Sequence, residues 1–242
     1  MKPAYNPRPE IKRFPRNLSG RDFVVGDIHG EFARLQRALN AIDFDREKDR
    51  LFSVGDLVDR GNESAQVVEW LDQPWFHAVC GNHDALAWRS ALGIPFEGVL
   101  HEKHGGSWLR ALPMDERTKI GERLSALPIV IEIETSKGLV GVVHADLPFD
   151  DWTDVYSIDW RRLDEMNSPA GQCLWSSTRF RRNYPGEVRN VRAVVHGHVL
   201  TAEARLLGNS FFIDSGGWDD GAFTFLELED LRLHVSLHTK PQ

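Results

Sequence analysis

Cysteine is scarce in this chain of 242 residues: Cys80 and Cys173 are the only two, and no Cys-x-x-Cys pair occurs. Two thiols exclude a disulfide framework, and buried, reduced side chains in a cytoplasmic protein are the expectation. No hydrophobic run is long enough to cross a bilayer. The start, Met1 to Arg16, is polar and rich in Pro, Lys and Arg, without the apolar core of a signal peptide. Positive charge is also in deficit. Lys and Arg number 29 against 36 Asp and Glu, a formal net charge of -7. That argues against a general nucleic-acid-binding surface, though nucleic acid stays open as a substrate. An anionic substrate is not excluded either, because a local positive site can stand against a negative total. Internal repeats and low-complexity segments are absent. A monomer is expected.

What is present suffices for one large domain with a core: hydrophobic residues make up 41%. Residues 1–20 hold Pro3, Pro7, Pro9 and Pro15 and read as an extended basic arm; residues 21–240 read as the single domain. Strands are expected at Phe23 to Val25, Leu51 to Val54 and Phe76 to Cys80. Helices are expected over Glu31 to Ile42 and Ser64 to Leu71, where apolar residues fall at helical spacing. This βαβαβ rhythm predicts a partly parallel sheet with helices on its faces. Residues 85–127 read as a helical insert or cap. Alternating Ile129, Ile131 and Ile133, a turn at Lys137-Gly138, and Leu139 to Val143 predict a hairpin. Residues 148–190 show no clear period and read as loops with one helix. Strands at Val191 to Val195, Phe211 to Ile213, Phe223 to Leu228 and Leu231 to Leu237 are expected to form a second, more antiparallel sheet. The fold class is therefore α/β, a sandwich of two sheets with helices outside.

Five short pieces carry metal-ligand chemistry: Gly26-Asp27-Ile28-His29-Gly30, Gly55 to Gly61, Gly81-Asn82-His83-Asp84, Val142 to Asp146, and Val195-His196-Gly197-His198. Most follow an apolar run, so a rigid strand would hold each ligand at its end. Carboxylate, imidazole and amide donors suit a pair of first-row divalent cations. Asp27 and His29 are two apart and point the same way in extended chain; a helix N-cap role for Asp27 is the competing reading. Asp56 has two oxygens with which to bridge two metals. Arg60 offers a planar fork for phosphate oxygens. Asn82 could ligate through its amide oxygen. His83 is the candidate acid, with Asp59 as its natural holder and Asp84 as competitor. His144 closes an apolar run, and His196 and His198 compete for the same metal. His101 and His104 read as solvated or at a pocket rim; His77, His234 and His238 read as structural or exposed. Trp108 and Trp175 are candidates to line a pocket. Arg179, Arg181 and Arg182 are either a phosphate clamp or a solvated run.

Taken in order, these motifs resemble the metallophosphoesterases, specifically the PPP-type protein phosphatases of the bacterial and bacteriophage lambda type. The likeness rests on Asp27/His29, Asp56/Asp59/Arg60, Asn82/His83, His144 and His198, and runs from about Phe23 through Phe212 to Gly217. It implies the calcineurin-like two-sheet sandwich and a metal-dependent phosphomonoester hydrolase. The activity implied is that of a serine/threonine, or dual-specificity, protein phosphatase, with phosphorylated protein or a small phosphoester as substrate. By the resemblance, one metal takes Asp27, His29 and bridging Asp56, and the other takes Asp56, Asn82, His144 and His198. Mn²⁺ is the expected ion, with Fe or Zn also found in the family. His83 with Asp59 would protonate the leaving group; Arg60, Asn82 and a later Arg, here Arg179, would hold the phosphate. Asp84 stands where the family has Glu, a feature shared with symmetrical diadenosine tetraphosphate hydrolases. Those enzymes commonly have Ala where this chain has Asp59. They and RNA-end phosphatases are the alternative reading.

Overall fold

The computed structural model describes residues 10–94 and 100–236. In chain order the strands are β1 (Ile11–Phe14), β2 (Asp22–Val25), β3 (Arg50–Ser53), β4 (Phe76–Ala78), β5 (Val130–Thr135), β6 (Gly138–Val143) and β7 (Ala193–His196). They end with β8 (Arg205–Leu207), β9 (Ser210–Phe212), β10 (Thr224–Glu227) and β11 (Arg232–Val235). One sheet runs β11-β10-β2-β3-β4 and the other β1-β5-β6-β7-β9-β8. Helix α1 (Phe32–Ala41) carries β2 over to β3, and α2 (Val67–Leu71) carries β3 to β4, so these three strands are parallel.

Alternation along the strands builds two cores. Val24, Phe52, Ile131, Val142 and Leu226 pack between the sheets. Their neighbours Phe23, Leu51, Val130, Val143 and Phe225 face outwards into the helical layers. Burial on both faces is why β2 carries adjacent apolar residues, Phe23, Val24 and Val25, in place of an alternating pattern.

Several expectations change. Residues 10–20 are not a free arm: β1 pairs in parallel with β5, Ile11 opposite Val130, and Phe14 is buried against Phe52. Only one side chain of β1 is fully buried, so an edge strand bracketed by Pro9 and Pro15 leaves little apolar signal. Residues 1–9, 95–99 and 237–242, with His238, lie outside the described residues. The C-terminal strands do not make a sheet of their own. Strands β7, β8 and β9 extend the β5–β6 hairpin, with β7 parallel to both β6 and β9, whereas β10 and β11 close the first sheet. Strand β8 was not legible, being mostly exposed. The insert begins early, with α3 (Asn82–Ala91) starting inside the third motif; α4 (Ser107–Arg110) and α5 (Met114–Ser125) follow. Residues 148–190 hold more helix than expected, namely α6 (Pro169–Trp175), α7 (Thr178–Arg181) and two 3₁₀ turns. Ser168 caps α6 through the Gly171 amide, with Pro169 at its first position.

Candidate metal centre and catalytic dyad

The ends of β2, β3, β4, β6 and β7 converge. Each parallel strand delivers its polar residues at its C-terminal edge, where the chain leaves the sheet. His29, Asp56, Asp59, Arg60 and His198 all have positive φ there, a conformation that is uncommon outside glycine and collects at functional sites. Gly81 allows the close approach of two of these turns: a Cβ on it would lie 2.2 Å from the Asp56 backbone nitrogen.

Asp56 is at the centre. Its Oδ2 is 3.6 Å from His29 Nε2, and its Oδ1 is 3.5 Å from His144 Nε2. Donor atoms of His29, Asp56 and His83 form one group within 4.8 Å of one another, and those of Asp56, His144 and His198 form a second. Asn82 Oδ1 faces His144 Nε2 at 2.9 Å and His198 Nδ1 at 3.0 Å. The Asp27 carboxylate accepts from the His198 backbone amide at 3.1 Å. The structure therefore brings Asp27, His29, Asp56, Asn82, His144 and His198 together. His196 stays out, stacked on Phe212 in the interior.

Electrostatics fit this set to cations. Burial, with Asp214 and Asp56 alongside, raises the Asp27 carboxyl well above the usual range. Burial pushes Asp214 to about 6 and Asp84 to about 7. Burial lowers His29 to about 3 and His198 to about 4. Asp56 is also fully buried, yet four imidazoles keep it below its ordinary value. Crowded carboxylates that resist ionising, beside imidazoles that resist protonation, are what divalent cations would relieve. His29 Nδ1 lies 2.9 Å from the Val58 carbonyl and His144 Nδ1 lies 2.8 Å from that of Val54. An Nδ1–H donated to each carbonyl turns both Nε2 lone pairs towards Asp56, as ligation needs.

Beside the cluster lies the dyad. His83 Nδ1 is 2.8 Å from Asp59 Oδ2. Asp84, the competing holder, instead accepts from the Leu57 and Gly81 amides and caps α3. Burial lowers the pKa of His83, but Asp56 and Asp59 more than offset it and raise it overall. The Arg60 guanidinium reaches His29 Nε2 at 2.7 Å and His83 Nε2 at 3.1 Å, and lies over the Trp218 ring. Trp218 in turn meets His29 edge-on.

Arg179 is not brought into this site. Its buried guanidinium donates to the Gly186 and Phe149 carbonyls and to Asp150, tying loops together. His101 departs from expectation in the other direction: it is buried, with Nε2 2.8 Å from Asp59. Trp108 also reaches Asp59, at 2.7 Å, whereas His104 is exposed. Three residues at or beside the site were missed. Asp214 and Trp218 follow β9 without a spacing signal, and His101 is 42 positions from its partner.

A two-sheet sandwich with carboxylate, imidazole and amide donors at its strand ends defines a metallophosphoesterase-like class of hydrolase. The chain belongs to the calcineurin-like phosphoesterase family, which matches residues 23–205. It is 31% identical over 213 residues to serine/threonine-protein phosphatase 2 of Salmonella typhimurium, covering 86% of this chain and 92% of that one. A symmetrical bis(5'-nucleosyl)-tetraphosphatase of Coxiella burnetii is 35% identical over 140 residues, 56% of this chain and 44% of that one. Among solved structures, a putative diadenosine tetraphosphatase aligns with TM-score 0.61 and 24% identity over 94% of this chain and 97% of that one. A Saccharomyces cerevisiae serine/threonine phosphatase aligns with TM-score 0.62 and 18% identity over 97% of this chain and 86% of that one. The protein is thus a phosphatase of the metallophosphoesterase type. Among the described residues no helix is long and apolar enough to cross a membrane.

Proposed function

We propose that this protein is a cytoplasmic serine/threonine, or dual-specificity, protein phosphatase that hydrolyses phosphomonoesters at a dinuclear Mn²⁺ centre. The observation that carries the reading is the His83–Asp59 pair beside the donor cluster, with Arg60 between them. Asp27, His29 and Asp56 would hold one cation, and Asp56, Asn82, His144 and His198 the other. When bound, the cations supply positive charge to the phosphate oxygens and acidity to a water molecule. Arg60, a planar fork at the mouth, binds and orients the phosphoryl group and stabilises charge on its equatorial oxygens. Asn82 would share in this. Water displaces the leaving alkoxide in line, so the new P–O bond forms as the ester P–O bond breaks. The proton on His83 Nε2 passes to the departing oxygen. Asp59 holds Nδ1 and stabilises the imidazolium before transfer. Neither cysteine is needed: both are buried, and burial raises the Cys173 thiol far above its ordinary value.

Two observations favour phosphoprotein over dinucleoside polyphosphate. Asp59 stands as the partner of His83, and in sequence the serine/threonine phosphatase relatives match along most of their length, the Coxiella burnetii tetraphosphatases along less than half of theirs. The test is a screen of the Mn²⁺-loaded enzyme on a phosphoserine peptide, diadenosine tetraphosphate and 3′-phosphorylated RNA. Turnover is expected on the peptide. Preferential cleavage of diadenosine tetraphosphate would replace this reading with the tetraphosphatase one.

A further inference from the structure

Asp59 receives more donors than are needed to hold one imidazole. Its Oδ2 faces His83 Nδ1 at 2.8 Å. Its Oδ1 faces His101 Nε2 at 2.8 Å and accepts from Trp108 Nε1 at 2.7 Å; His101 Nε2 is also 3.0 Å from Oδ2. Both extra donors come from the insert. The His101 ring is buried and its Nδ1 has no hydrogen-bond partner, so Asp59 is its polar anchor. The loop between the two donors is shaped to bring them in. A Cβ on Gly106 would lie 2.3 Å from the His101 ring, and Gly105, at φ +96°, packs on the Arg60 backbone. A side chain at 106 would push the imidazole out of place.

A carboxylate with one partner can rotate about its last torsion. Two donors fixed on Oδ1 remove that freedom and leave Oδ2 directed at His83. We propose that His101 and Trp108 are positioning residues that lock the Asp59 carboxylate and so aim the Nε2 proton of His83 at the leaving oxygen. This rests on His83 being the acid. The insert would thereby act on the chemistry without touching the phosphate. The hydrogen bonds from His101 and His83 also hold Asp59 below its usual range in spite of burial, keeping it an acceptor.

The experiment compares H101L, H101Q and W108F, each alone and combined with H83N, on a phosphoserine peptide and on p-nitrophenyl phosphate. All proteins are Mn²⁺-loaded, with metal content and melting temperature measured. H101L and W108F are expected to lower kcat on the peptide roughly tenfold, the loss of one bond to a charged acceptor. On p-nitrophenyl phosphate, whose leaving group needs no proton, the loss is expected to stay under about threefold. KM holds on both substrates, and H101Q, which keeps a donor, recovers most of the rate. In the H83N background neither substitution has any further effect. The same tenfold loss in that background, or equal losses on both substrates with His83 present, overturns the proposal. If H83N alone treats the two substrates alike, the acid reading fails and takes this inference with it. If H83N discriminates and H101L and W108F do not, only the inference fails. Should H101L not fold, W108F decides.

Discussion

The strand ends and the insert address the same site in different ways. Asp27, Asp56, Asn82, His144 and His198 each sit one to four residues past the last apolar position of a strand, so the sheets fix their positions. The insert instead reaches in with side chains: His101 and Trp108 travel from a 3₁₀ turn and a four-residue helix to a carboxylate on another loop. The first arrangement needs rigidity, because cation affinity depends on several donors at once. The second needs only a correct contact. On the proposed reading, ligand geometry would belong to the sandwich, and proton geometry to the sandwich and insert together.

The sharpest way to break this division is at Asp56, the residue both donor groups share. Asp56→Asn is expected to abolish turnover and to reduce bound Mn²⁺ from two equivalents to one or none, read by elemental analysis. The same crowding of Asp27, Asp56 and Asp214 predicts that Mn²⁺ stabilises the fold. At a hundredfold excess over Kd the gain is about 2.7 kcal/mol, visible as a chelator-reversible rise in Tm. A variant that keeps both ions and its activity would remove Asp56 from the centre. The next largest effect belongs to the dyad. His83→Asn should cost roughly 10²–10⁴-fold on phosphoserine peptide and clearly less on p-nitrophenyl phosphate, with metal content unchanged. Loss of metal in this variant would instead make His83 a ligand.

The same contrast explains what could be read from the sequence. The sandwich and the donor residues it gathers were legible because a polar side chain directly after a buried apolar run is a local pattern, repeated along the chain. His198 against His196 was not decidable locally. Both flank Gly197, and only the stacking of His196 on Phe212 removes it from the cluster. Strand β1 escaped because an edge strand with one fully buried side chain barely differs from a polar arm. The site role of His101 escaped for a stronger reason. Its partner is 42 residues away, and nothing in His-x-x-His-Gly-Gly-Ser-Trp fixes which imidazole turns inward. The Arg179 reading failed through chemistry that two uses share: a fork that suits phosphate also suits two carbonyls and a carboxylate.

Arg60 and Arg179 therefore make a paired test within one residue type. On the proposed reading Arg60→Ala removes a donor for the reacting phosphoryl group, and kcat/KM should fall by roughly 10²–10³-fold with little change in Tm. Arg179→Met leaves the Phe149 and Gly186 carbonyls short of a donor. It should cost about 1–3 kcal/mol of stability, with KM for phosphopeptide unchanged. A large KM increase in Arg179→Met, at unchanged stability, would restore it to the phosphate site.

The last expected effect lies on β4, outside the donor cluster, and tests whether burial of a histidine matters where no metal ion is involved. His77 sits against Phe14 and Phe52. Burial, then Lys12 and Arg50, lower it from 6.5 to about 4. As pH falls the unfolded chain takes up the proton first, at its ordinary value, while the folded ring stays neutral. His77 therefore leaves full stability above pH 6.5 and costs stability progressively down to about pH 4. The whole shift corresponds to at most about 3 kcal/mol, and less for a ring that is only partly buried. Urea unfolding of His77→Phe and the parent protein, both in chelator so that the cation site contributes equally, isolates this term. The two stabilities should differ by a constant above pH 6.5 and diverge below it in favour of the variant. Parallel curves from pH 7 to 4.5 would show that the His77 proton has no part in acid unfolding.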